Sequence, residues 1–156
     1  MKSLSRNAKK YPYALIGIGL MLILLFACGI KLVADYDAAT YESILNTAKL
    51  VDAFYVNLLV TPETERAYEN FADQYLDIEV EIRSLLMRTK IHPLNEESTR
   101  IAETILAKWL KYKEAHQDKN TYKSALEQVH WQRFTRLFTA MAVAEEAKRL
   151  AAENTN

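Results

Sequence analysis

The chain has 156 residues, half of them apolar, with 20 basic and 20 acidic side chains, and its three glycines, Gly17, Gly19 and Gly29, all fall in the first 29 positions. Glycine serves tight turns and positive φ angles, so the glycine-free remainder excludes a hairpin-rich β domain and a glycine-lined phosphate loop. Without the four basic residues that precede Cys28, 16 basic face 20 acidic residues, and a mildly acidic body with no basic stripe excludes nucleic acid as a partner.

Residues 1–12 read as a basic cytoplasmic n-region, with Lys2, Arg6, Lys9 and Lys10 and no acid. Residues 13–34 are the expected membrane anchor. The stretch Tyr13 to Ile30 carries no charge over 18 residues, at the lower edge of the ~20 needed to span a bilayer. The positive flank predicts a cytoplasmic N-terminus and a body on the far side of the membrane. The same stretch fits a signal peptide, with an apolar run from Tyr13 to Ala27 and a possible cleavage point before Cys28. Cys28 is the single cysteine, so no intramolecular disulfide braces the body.

Residues 35–151 are expected to form an all-α body, an up-down antiparallel four-helix bundle, with 152–156 as a frayed tail. Four helices are predicted, at 35–60, 62–91, 95–116 and 121–151. Pro62 and Pro93 mark two of the starts. Thr61-Pro62-Glu63 places a cap, a first-turn proline and an acid in order. Asn95 is the expected cap of the third helix, and Asn120 or Thr121 that of the fourth. Apolar residues recur at spacings of three and four: Tyr41, Ile44, Ala48, Val51, Tyr55 and Leu58 in the first helix, then Tyr68, Phe71, Tyr75, Ile78, Ile82 and Leu85 in the second. That is the seam of a bundle. The third carries Ile101, Ile105 and Tyr112, widened by Ala102, Leu106 and Trp109; the fourth carries Leu126, Val129, Phe134, Leu137, Phe138 and Met141. Short connections make neighbours antiparallel. Tyr41, Tyr55, Tyr68, Tyr75 and Tyr112 are expected to fill wide layers, with their hydroxyls reaching the rim.

Catalytic and metal chemistry find no pattern here. His92, His116 and His130 are never three or four apart, so no zinc or di-iron motif arises and no metal or cofactor is expected. Asp73, Asp77 and Glu81 recur every four residues but flank the second seam, as a solvated face does, and Glu79 with Arg83 makes an ordinary surface pair. Ser43, Ser84, Ser98 and Ser124 lack a nucleophile elbow, and no enzyme is expected. The candidate interaction surface is Trp109, Tyr112, Trp131 and Phe134, which the same apolar spacing equally allows to be core.

Leu25-Phe26-Ala27-Cys28 resembles a bacterial lipobox, and Asp35-Tyr36-Asp37-Ala38-Ala39-Thr40-Tyr41 follows it. Together they resemble a group of small uncharacterised bacterial envelope lipoproteins with an Asp-Tyr-Asp-x-x-Thr-Tyr segment leading into a helical domain. That resemblance implies a periplasmic helical lipoprotein acylated at Cys28, and brings no activity or substrate with it. Gly29 after the cysteine then implies the outer membrane, by analogy with lipoprotein sorting; an uncleaved leader implies a single helix in the inner membrane. Physically, Asp35 and Asp37 also suit the positive end of a helix dipole. The function expected is a non-catalytic, membrane-tethered interaction module for an envelope protein or complex. The alternative is a ligand-sensing bundle signalling through a partner, since one membrane helix feeding a periplasmic bundle is similar to a chemoreceptor sensor domain.

Overall fold

The computed structural model describes residues 34–154. The expected anchor up to residue 33, its cleavage point and Cys28 lie outside the described residues; the last anchor position, Ala34, is buried against the body, its amide donating to the Leu94 carbonyl at 3.1 Å. Among the described residues no helix is long and apolar enough to cross a membrane, and there is no strand. Four α-helices form the body: α1 (Ala38–Val60), α2 (Ala72–Ile91), α3 (Glu96–Lys119) and α4 (Ser124–Glu153).

Cross-links between neighbours give the directions. Asn57 Nδ2 donates to Gln74 Oε1 at one end of α1 and α2, and Arg88 approaches Asp37 at the other. Tyr75 meets His116 and Lys90 meets Glu103 between α2 and α3. Arg133 donates to the Tyr112 hydroxyl and Ser98 to Glu145 between α3 and α4. Trp131 donates to Asp52 between α4 and α1. Each helix therefore runs against the next, and α4 closes back on α1.

The apolar spacing of α1 and α2 translates directly into the core. Ile44, Val51, Tyr55 and Leu58 are buried on one side, Tyr75, Ile78, Ile82 and Leu85 on the other. Phe54 lies at their meeting point, its ring centroid 6.0 Å from that of Phe71, 4.6 Å from Tyr75 and 5.1 Å from Trp109. Burying each such side chain contributes about 1.5–3 kcal/mol.

Helix α1 starts at Ala38, later than the expected 35, because Asp37 caps it. The Asp37 carboxylate accepts from the Ala39 and Thr40 amides and, at 2.6 Å, from the Thr40 hydroxyl. The Thr40 hydroxyl bond, first among its contacts, holds that carboxyl below the usual range. Part of the Asp-Tyr-Asp-x-x-Thr-Tyr string is thus a helix cap with a buried threonine behind it.

The second helix begins ten residues later than its proline grammar predicts. Residues 62–71 make two 3₁₀ turns, Glu63–Glu65 and Tyr68–Phe71, split by extended backbone at Ala67. Arg66 is the reason: it is buried, and its guanidinium serves carbonyls of the preceding helix and the α3–α4 turn, a position that an α-helical segment would turn outward. Glu63 does not cap its own turn but accepts from the Ser124 amide at 2.9 Å, so α4 is capped from 61 positions away.

The remaining boundaries also move. α3 continues to Lys119 and stops where Asn120 turns left-handed at φ 47°; the Asn120 side chain accepts from the Tyr68 amide instead of capping α4. Asn95 stands at the N-cap of α3 without a capping bond; its amide bridges Thr89 and Lys148. The expected frayed tail begins as helix, since α4 runs through Glu153 with Arg149 bonded to Glu146 and Glu153.

Candidate functional site

The fourth helix carries the features that its sequence conceals. Leu126 and Val129, expected in the seam, are exposed, while Glu127 is fully buried. The helix turns inward by one position because Glu127 meets Arg66 and the neighbouring His130 meets Tyr122. Arg66 Nε donates to the Thr61 carbonyl at 2.7 Å, Nη1 to the Tyr122 carbonyl and the Ser124 hydroxyl, and Nη2 to the Leu59 carbonyl. Its charge faces Glu127 at 3.7 Å, yet neither Glu127 oxygen accepts a hydrogen bond among the described residues. Burial raises the Glu127 carboxyl pKa, and Arg66 opposes that rise.

Two histidines lock the same end. The Arg66 carbonyl can only accept, so His116 Nε2 donates to it at 2.8 Å, and Nδ1 is left to accept from the Tyr75 hydroxyl at 3.1 Å. Burial keeps His116 below its ordinary pKa, against the pull of that carbonyl. His130 Nδ1 shares a hydrogen bond with the Tyr122 hydroxyl at 2.5 Å, and its ring stacks on Tyr112 with centroids 3.5 Å apart. Burial first, then Arg133 and Lys111, push the His130 pKa down to about 4. The hydroxyls of Tyr75 and Tyr122 stay inside and do not reach the rim, and burial raises both their pKa values. The histidine and tyrosine side chains are bonded to one another or to backbone and join α2, α3 and α4 at this end, while the Glu127 carboxylate keeps only the charge of Arg66.

A groove of about 540 Å³ runs along the outside of the α1–α4 pair. Its floor is the core itself, Ile44, Val51, Phe134 and Phe138. The groove exists because its walls are small where two helices face solvent: Ala48 from α1, Thr135, Thr139 and Ala142 from α4. Leu45 and Val143 add exposed apolar edges, and Lys49, Asp52 and Glu146 put both charge signs on the rim. Trp131 stands at one end, half-buried, its indole N–H donating to Asp52 Oδ1 at 2.7 Å.

The four aromatics of the candidate surface separate accordingly. Trp109, Tyr112 and Phe134 are buried core residues, and Trp109 donates its indole N–H to the Tyr75 carbonyl. Trp131 alone of the four stays half-open, and the groove combines it with seam residues such as Ile44, Ala48, Val51 and Phe138 and with Thr135, Thr139 and Ala142, which single-helix spacing did not select. Asp73, Asp77 and Glu81 lie exposed on the outside of α2. Among the described residues no group of three or more metal-binding side chains converges. No family model, curated protein or solved structure matches the chain.

Proposed function

We propose that this chain is a non-catalytic accessory module, tethered to the bacterial envelope membrane by residues 13–34 or by an acylated Cys28, whose periplasmic body docks an envelope protein in the α1–α4 groove. The observation that carries this reading is the groove itself, an apolar trough that ends at a half-buried tryptophan and is rimmed by both charge signs. An apolar floor with a tryptophan anchor suits the apolar face of an amphipathic helix, whose side chains recur at three and four positions. The buried polar end supports a scaffold role, since its hydrogen bonds fix the angle between helices and leave the groove rigid.

A photo-crosslinking residue at Thr139, carried by the full chain in living cells, tests the docking. It captures one envelope protein, and Ala48→Arg, which puts a long side chain into the groove beside the core, removes that product while circular dichroism shows the fold kept. Capture that survives Ala48→Arg contradicts the groove as the docking site. The intact mass from native membranes tests the tether: loss of residues 1–27 with gain of acyl chains supports lipidation, and an uncut mass supports the helix.

The groove volume favours a second reading, a small apolar ligand, because such sites hold about 300–1,000 Å³. In that case Thr139 captures no protein, and a small-molecule ligand raises the melting temperature of the purified chain by several degrees.

A further inference from the structure

The outward face of α2 is apolar where a bundle helix is ordinarily polar. Leu76, Val80, Met87 and Ile91 are 57, 56, 64 and 70% exposed and follow one line down the helix, directly opposite the buried Tyr75, Ile78, Ile82 and Leu85. None of them lines the α1–α4 groove. Their positions are symmetric: Leu76 and Ile91, and likewise Val80 and Met87, are equidistant from a point between Arg83 and Ser84. The charges are segregated about the same point. Every acid of the helix, Asp73, Asp77, Glu79 and Glu81, precedes Arg83, and every base, Arg83, Arg88 and Lys90, lies from there onward. The helix dipole accounts for charges in the first and last turns only, and Glu79 pairs with Arg83 and Lys113, so Asp77 and Glu81 are left without an intrachain reason among the described residues. Asp73, Asp77 and Glu81 are also exposed with no ion partner among the described residues.

We propose that this face is a self-complementary seam on which a second copy of the chain docks, α2 against α2, antiparallel about a twofold axis at Arg83 and Ser84. A twofold contact requires one patch to complement itself. Antiparallel pairing sets Leu76 level with Ile91 of the second copy and Val80 level with its Met87. It also lays the acidic half of each helix against the basic half of the other. Arg83 meets its own counterpart beside the axis, and each guanidinium arrives already bonded to its own Glu79 at 2.9 Å. Ser84 faces Ser84 of the second copy on the other side of the axis. The seam from Leu76 to Ile91 is about 22 Å long, short for a stable dimer, so the association is weak and transient in kind.

Disulfide trapping of the full chain in its native membrane reads this contact. Ser84→Cys gives a homodimer under mild oxidation, mapped by peptide mass to the introduced thiol on both chains, and Arg136→Cys on the exposed face of α4 does not. Adding Val80→Glu and Met87→Glu to the Ser84→Cys chain cuts the yield by at least about tenfold, because each dimer then encloses unpaired carboxylates. Circular dichroism checks that the fold is kept, as both positions are more than half exposed. Three results overturn the proposal: Ser84→Cys linking no better than Arg136→Cys, linkage that survives the two glutamates, or linkage to a different protein.

Discussion

Helix α4 buries a glutamate near each end, and the two are held in opposite ways. Glu145 accepts from the Ser98 hydroxyl at 3.0 Å and from the Lys148 ammonium at 2.5 Å, and Lys148 is anchored in turn by the Asn95 side chain at 2.6 Å. That carboxylate joins α4 to the start of α3 through direct hydrogen bonds. Glu127 has only the charge of Arg66, 3.7 Å away, while the donors of Arg66 point at three carbonyls and a hydroxyl. One end is therefore closed by the carboxylate, the other by the arginine. Burying a charge costs much unless hydrogen bonds replace its water, so equal burial does not mean equal importance.

The largest expected effect follows from breaking the well-bonded end. Glu145→Ala strands Lys148, which is 7% exposed, and chemical denaturation of the full chain in detergent should show a loss of about 3 kcal/mol. An acid titration sharpens the other end. His130 is neutral in the fold with its pKa lowered from 6.5 to about 4, so the unfolded chain binds the extra proton first. Stability is complete above 6.5 and falls as the pH drops from there to about 4, by about 2 kcal/mol once partial solvent screening is allowed for. His130→Gln should flatten that slope in a series of melting curves.

Smaller effects come from the two left-handed turns. Leu94 adopts φ 61° with a branched side chain, whereas Asn120 adopts φ 47° and uses its side-chain oxygen to accept from the Tyr68 amide. Leu94→Gly should gain about 0.5 kcal/mol, relief of strain less the added freedom of the unfolded chain. Asn120→Gly should gain nothing, having lost a bond. Glu127→Gln is likewise small, within about 1 kcal/mol of the parent at neutral pH, because Arg66 keeps its other acceptors. A loss as large as that of Glu145→Ala would erase the distinction between the two ends.

The same contrast explains how much the sequence disclosed. The seams of α1 and α2 are legible because their apolar residues sit at three and four spacing and no charged side chain of either helix is buried among them, although Phe54 and the small polar Thr47 and Thr89 join them unannounced. In α4 the competitors win: Glu127 enters the core, and Leu126 and Val129 are turned out. Arg66 lies 61 positions before Glu127, so the pairing is invisible to any single-helix pattern. The Thr61-Pro62-Glu63 grammar misleads for a related reason, since Glu63 caps α4 and Arg66 holds the 62–71 turns in place. At the groove, Trp131 was selected as a candidate surface aromatic and Ala48 as part of the first seam. Thr135 and Thr139 were not selected, because a trough is made by what small side chains leave empty.

Hydroxyl-radical footprinting compares side-chain exposure in native membranes with that in the purified full chain, and it tests the groove most directly. If an envelope protein occupies the trough, Trp131 and Tyr41 are protected in the membrane and regain reactivity on purification or with Ala48→Arg. Equal reactivity in both settings would contradict the groove as the working surface of this protein.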